Sequence, residues 1–332
     1  MTRSRAASDR FESPPRRTVT MELFPAFPLD EWKDTKETIH RFEQIVGKVR
    51  LAHSSRRNHW WHVPFHLTGS GITSRPMGLV DGNPVFTVDF DFVRHQLVAS
   101  NLDGHTVSFP LQGHSVSSFY LRFQSALDSL GVDGSIPNAQ PFDLPDSDRP
   151  FVDDKEQRAY APEKATKYWQ VLSQVNLVLE EFAAGYSGKT SPVHHFWHTF
   201  DIAVTRFSPR RVQPPENAGG VECEAYSREV TSFGFWFGDD TVPEPCFYAY
   251  AVPEPKGLAD RPLHPAAAEW VPSGSGHLAL LRYAEAREQP DPKAAVLEFM
   301  QSAYRAGAQG LGWDIADKAC PGGVTDPRLA DR

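Results

Sequence analysis

Cysteine is scarce in this 332-residue chain: Cys223, Cys246 and Cys320 are the only three, and no two are close. That excludes a disulfide scaffold and a C-x-x-C metal site, and it predicts reduced thiols in a cytoplasmic protein. No apolar run reaches the ~18 residues of a membrane-spanning helix, so no membrane partner is expected. Lys and Arg form no long block, and the formal net charge is −8. Counterion release from basic contacts supplies most of the affinity for nucleic acid, so no nucleic-acid partner is expected either. Nucleophile signatures are missing: there is no G-x-S-x-G elbow and no cysteine with a local catalytic pattern. Gly310-Leu311-Gly312 is too short for a dinucleotide loop. Ser187-Gly188-Lys189-Thr190 has the tail of a phosphate-binding loop, but Ala183 stands where the first glycine is required, and a helical pattern precedes it.

The N-terminus carries Arg3, Arg5, Arg10, Arg16 and Arg17 with no apolar segment after them, so it does not read as a secretory signal. Residues 1–22 read as a disordered tail that buries too little to offset its ordering entropy, and Met21 is a candidate start.

Histidine and aromatic residues are what the chain has in quantity. The tetrad His59-Trp60-Trp61-His62 recurs as His195-Phe196-Trp197-His198, 136 residues later, and each copy follows a Gly-Lys pair, Gly47-Lys48 or Gly188-Lys189. Four helical stripes are predicted. The first starts at Asp30 as N-cap, with Trp32, Ile39, Phe42, Val46 and Val49 on one face. The second starts at Ser115, the third follows Pro162, and the fourth opens on Asp291-Pro292. Period-two runs predict strands over Phe86–Phe92, Gln96–Ser100 and Val107–Leu111, with a tight turn at Asp103-Gly104. Similar runs follow over Tyr226–Phe237, Phe247–Val252 and His277–Tyr283. The closing helices share a word, Phe123-Gln124-Ser125-Ala126 and Met300-Gln301-Ser302-Ala303.

These patterns predict an α+β fold: antiparallel sheet with four main helices, in two similarly ordered helix–strands–helix halves that suggest an internal duplication. The halves fall at 23–136 and 160–315, packed as one globular unit. A Pro/Asp-rich linker spans 137–159, and a flexible tail spans 316–332.

The strings Asn58–Pro64, Ser191–Trp197, Phe200–Ser208, Ala225–Val230 and Phe247–Tyr250 resemble those of a bacterial family catalogued as domain of unknown function 5996. The resemblance runs from about Phe24 to Trp313 and implies bacterial origin and one compact unit, with no established activity. His195 and His198 depart from that family's pattern, which more often has an aromatic and a small residue there. That departure weighs against reading the repeated tetrad as ancestral.

The candidate ligand-binding residues are His59, Trp60, Trp61, His62, His194, Trp197, His198, Asp201 and Arg206. If both tetrads lie in strands, His59 and His62 face opposite ways, while His62 and His66, and His194 and His198, share faces. A two-histidine half-site from each half, with Asp201, would hold a divalent metal, and His62, His66, His194 and His198 are its candidates. Arg206 is expected to pair with Asp89, Asp91 or Glu229, or to bind an anionic ligand. Two functions follow. One is small-ligand binding in an aromatic- and His-lined cleft between the halves. The other is a metal-dependent, hydrolase-like enzyme using the His59/His62 and His194/His198 clusters. Neither the ligand nor the oligomeric state is legible.

Overall fold

Apolar periodicity sets the helices. In the computed structural model, which describes residues 22–79, 82–214 and 216–329, helix α1 spans Lys33–His53. The expectations for residues 1–21, including the tail and Met21, lie outside the described residues. Asp30 is not the cap of α1: it falls in a 3-10 turn, Leu29–Glu31, and Trp32 precedes the helix without a side-chain cap. The reason is packing, because Trp32 is buried and stacks on Phe27 at 4.5 Å, which delays helix entry.

The first sheet is a sequential meander, β1 (His66–Leu67), β2 (Gly71–Thr73), β3 (Phe86–Asp91), β4 (Gln96–Asn101) and β5 (Thr106–Pro110), all antiparallel. Helix α2 (Val116–Ser129) closes the half, and Ser115 and Ser118 form a reciprocal capping box at its start. The segment read as a linker is fastened down. Gln44 Oε1 accepts from the Phe142 amide at 2.6 Å, Arg41 meets Asp146 at 2.9 Å, and Phe151 is fully buried.

The second half repeats the order. Helix α3 (Pro162–Ala184) leads into β6 (His194–Phe196) and β7 (Asp201–Arg211), then short α4 (Gly220–Ala225), β8 (Arg228–Trp236), β9 (Cys246–Val252), β10 (Glu269–Ser273) and β11 (Gly276–Arg282). The sheet order is β10-β11-β9-β8-β7-β6, again antiparallel. Short α5 (Tyr283–Arg287) and long α6 (Pro292–Gly310) follow, and the Asp291 side chain caps α6 by accepting from the Ala294 amide at 3.0 Å. The segment read as a C-terminal tail contributes a final helical turn, α7 (Ile315–Lys318), and Cys320 beyond it is buried.

The sheets join edge to edge. Phe65 N donates to His195 O at 2.8 Å, and His195 N donates to Phe65 O at 3.0 Å. One apolar core, running from Phe24 to Ala308, unites both halves.

The repeated tetrads are not equivalent places in this body. His59 and Trp60 lie in a 3-10 turn, both in the left-handed region (φ 55° and 61°), rather than in a strand. The second tetrad begins inside β6 and runs out into a turn. The sequence match is offset by 136, whereas β1 and β6 start at residues 66 and 194, an offset of 128. The Gly-Lys pairs differ too: Gly47 is inside α1, while Gly188 follows α3. Gly47 is glycine because a Cβ there would lie 2.2 Å from the Trp197 ring.

Candidate functional site: a cleft at the seam between the sheets

Successive strand residues point to opposite faces, so His194 and His195 serve different layers. His195 pairs in register with fully buried Ile202 and points into the core. Its Nε2 lies 2.7 Å from Glu43 Oε2 and 3.0 Å from the Tyr168 hydroxyl, and Tyr168 donates to Glu43 Oε1 at 2.9 Å. Its Nδ1 reaches the Asp201 carbonyl at 3.1 Å. Glu43, Tyr168 and His195 are fully buried, and each polar atom among them has a partner. Sequence reasoning passed over Glu43 and Tyr168. The available signal was a carboxylate at position 43, on the same helical face as Ile39 and Val46.

His194 points the other way. Its ring lies edge-to-face on His66 at 5.2 Å and 6.4 Å from Trp61. It is 1 % exposed, and its Nδ1 has no hydrogen-bond partner. Burial first, then arginine charge, pushes the His194 pKa down to about 3. His66 is likewise pushed down to about 3 by burial, with His194, Arg75, Arg50 and Arg57 adding to it. Both imidazoles are therefore neutral near pH 7.

Those arginines define the electrostatics. Arg50 is buried; its Nε donates to the Pro64 carbonyl at 2.9 Å, and its Nη1 has no partner. Burial and the charges of Arg75 and Arg57 lower its pKa to about 10, which leaves it charged. Neighbouring Arg56 takes Glu224 at 3.8 Å. Among the described residues, Arg50, Arg57 and Arg75 have no ion-pair partner. His62, lowered mainly by burial and then by Arg50, accepts from the Arg57 amide at 3.2 Å. Arg75 has φ 58°, a left-handed conformation held by the Thr73 hydroxyl, which accepts from its amide at 3.1 Å.

A cleft of about 480 Å³ opens here. His66, Leu67 and Arg75 form its first-half wall, Asn176, Glu180 and Ala184 of α3 a second, and Tyr186 with Thr190 to Val193 a third. Ligand pockets in proteins run from ~300 to ~1,000 Å³, so the size suits a small molecule.

The remaining predicted residues sit elsewhere. The His59 Nδ1 faces the carbonyls of Glu224 and Ala225, each at 3.2 Å, so it donates there and its Nε2 accepts from Lys189 Nζ at 2.7 Å. That ammonium also lies 5.2 Å from the Trp61 ring and 5.0 Å from Phe207. The Glu224 carboxylate accepts from the His59 amide at 2.8 Å, and Trp60 Nε1 donates to the Val221 carbonyl at 3.1 Å; these contacts clamp the left-handed turn onto α4. Trp197 is buried against Gly47 and donates to the Val63 carbonyl at 3.0 Å. The ring of His198 packs on Phe142, Phe196 and Trp197, and His62, His66 and His194 are not among its ring neighbours. The Asp201 carboxylate accepts hydroxyls from Thr199 and Tyr248, and its carbonyl is the group that meets His195 Nδ1.

Arg206 pairs with none of the acids expected for it. Asp91 takes Arg94 at 3.1 Å and Glu229 takes Arg210 at 2.8 Å, while Arg206 sits under α3 on the helix-covered face of β7. Of the four metal candidates, the structure sets His66 edge-to-face against His194, places His62 beside Arg50 and leaves His198 apart. Among the described residues no three His, Cys, Asp or Glu converge as a metal site. A divalent ion beside His66 and His194 would also face the unpaired charges of Arg50, Arg57 and Arg75.

Fold and site together define an α+β protein of two antiparallel sheets sewn at one edge, with a cleft lined by His66, Arg75 and Glu180 at the seam. The chain belongs to the Family of unknown function (DUF5996), which matches residues 24–320. No curated protein and no solved structure matches it. No helix among the described residues is long and apolar enough to cross a membrane.

Proposed function

We propose that this protein binds a small anionic ligand in the seam cleft, as a bacterial cytoplasmic binding protein whose three thiols are free. One observation carries the reading. Buried Arg50 and His194 each keep an unpartnered nitrogen, and the adjoining cleft carries His66 and Arg75, which has no ion-pair partner among the described residues, with Glu180 the one carboxylate in its wall. Leaving a buried donor unmade costs about 1–3 kcal/mol, and more when it is charged, so such groups are kept where something else completes them. A carboxylate or phosphate against Arg75, with His66 and Thr190 as neutral partners, would bring negative charge to that neighbourhood, and Tyr186 in the cleft wall offers a ring for an attached apolar group.

The test is calorimetric titration of the purified protein with citrate and phosphate, and in parallel with zinc and manganese. Saturable anion binding that weakens about tenfold in Arg75→Gln is expected. Stoichiometric divalent metal, lost in His66→Gln/His194→Gln, with no anion binding, would replace this reading with the metal-enzyme one.

A further inference from the structure

We propose a second ligand site, at Arg206, that takes a planar carboxylate. It occupies a separate cleft of about 450 Å³, where the C-terminal end of α3 meets α6 and the turn at residues 321–323. Phe182, Gly185, Leu297 and Gln301 line it, with Glu181 at its wall and Arg206 beneath.

The guanidinium is enclosed by rings. Its Cζ is 3.8 Å from the Phe182 centroid, 4.4 Å from Tyr304 and 5.0 Å from Tyr186. Aromatic faces attract the cation through their quadrupoles but accept little from N–H groups in the guanidinium plane. In that plane, Nη2 donates to the Phe182 carbonyl at 2.6 Å, while Nε is buried without a partner. The Tyr304 hydroxyl, in the same cage, is also buried and unpartnered. Arg206 is 1 % exposed and has no ion-pair partner among the described residues. Burial lowers its pKa only to about 10, so the charge persists at neutral pH.

Two adjacent side chains therefore lack a complement: the Arg206 guanidinium, in both its charge and its in-plane Nε–H, and the Tyr304 phenol. A carboxylate supplies all of it, with one negative charge, an oxygen for the guanidinium edge and an oxygen that accepts from Tyr304. Phosphate fits less well, because its second charge would meet a single unpaired arginine; Lys293 near the cleft wall is already taken by Glu181 at 3.0 Å.

The experiment uses the full chain with benzoate as probe, and phosphate and chloride at matched ionic strength. Binding is read by thermal shift, and by the Nε–H NMR resonance assigned to Arg206 through its loss in Arg206→Met. Benzoate should raise Tm saturably and move that resonance. Tyr304→Phe, which removes only an unpartnered hydroxyl and so should fold, should weaken benzoate binding about three- to tenfold. Arg75→Gln should leave it unchanged, which separates this site from the seam cleft. The proposal is overturned if benzoate produces no saturable shift, if Tyr304→Phe binds benzoate as the wild type does, or if Arg75→Gln abolishes the effect. Should Arg206→Met fail to fold, Tyr304→Phe and Arg75→Gln still decide the matter.

Discussion

His194 and His195 are neighbours in one strand and live in opposite electrostatic worlds. His195 is closed within Glu43 and Tyr168 at Nε2 and the Asp201 carbonyl at Nδ1, which together use up its hydrogen-bonding capacity. His194 is as deeply buried but keeps a spare nitrogen and is surrounded by positive charge. Burial alone does not distinguish a structural histidine from a functional one. The state of its partners does: the completed triad ties α1 and α3 to β6, whereas His194, packed on the cleft residue His66, keeps a nitrogen without a partner.

The sharpest way to break this contrast is to remove one member of the completed side. Glu43→Leu leaves His195 and Tyr168 without their acceptor in the core and should cost about 3–5 kcal/mol, measured by urea unfolding. A loss below about 1 kcal/mol would place the triad among dispensable contacts.

Acid attacks the incomplete side. His66 and His194 hold pKa values of about 3 in the fold, below the ordinary value of 6.5, so the unfolded chain binds more protons between those limits. Their contribution to stability is complete above pH 6.5 and is lost as pH falls toward 3. By pH 5 the loss should approach about 2 kcal/mol per histidine at most, since each pKa unit corresponds to ~1.4 kcal/mol. His66→Gln/His194→Gln should flatten the pH slope of unfolding free energy; an unchanged slope would place the titration elsewhere.

A smaller effect is expected where the tetrad meets α1. Gly47→Ala puts a methyl into the Trp197 ring and should destabilise by about 1–3 kcal/mol, as overpacked cores do. Wild-type Tm in that variant would show that the ring can shift without cost. Least of all should Arg75→Gln alter stability: an exposed side chain without an ion pair should stay within about 0.5 kcal/mol while ligand affinity falls. A large stability loss there would make Arg75 a structural residue and remove it from the cleft's binding role.

Much of the fold was legible because its signals are local. Ser115 and Asp291 cap as their residue types require, and the alternation of Phe86, Val88 and Phe90 marks a strand with one buried face. The site was legible only in part. Of the four histidines His62, His66, His194 and His198 proposed together, His66 and His194 are ring neighbours, but the arginines around them come from α1, the following loop and the residues after β2, and their convergence is a long-range fact. The tetrad comparison misled because it matched letters rather than backbone. His59 and Trp60 adopt left-handed angles that the short string does not encode, and that breaks the assumed strand alternation. Arg206 was matched to acids that turn out to have other partners.

The bridge between Phe65 and His195 has a consequence for how molecules of this protein meet one another. At that bridge the two sheet edges bond to each other rather than to a passing chain. The outward borders of the sheets are β5 and β10, and each carries a proline, Pro110 and Pro272, that has no amide hydrogen to give. The fold thus shields itself from ribbon-like polymerisation at both rims.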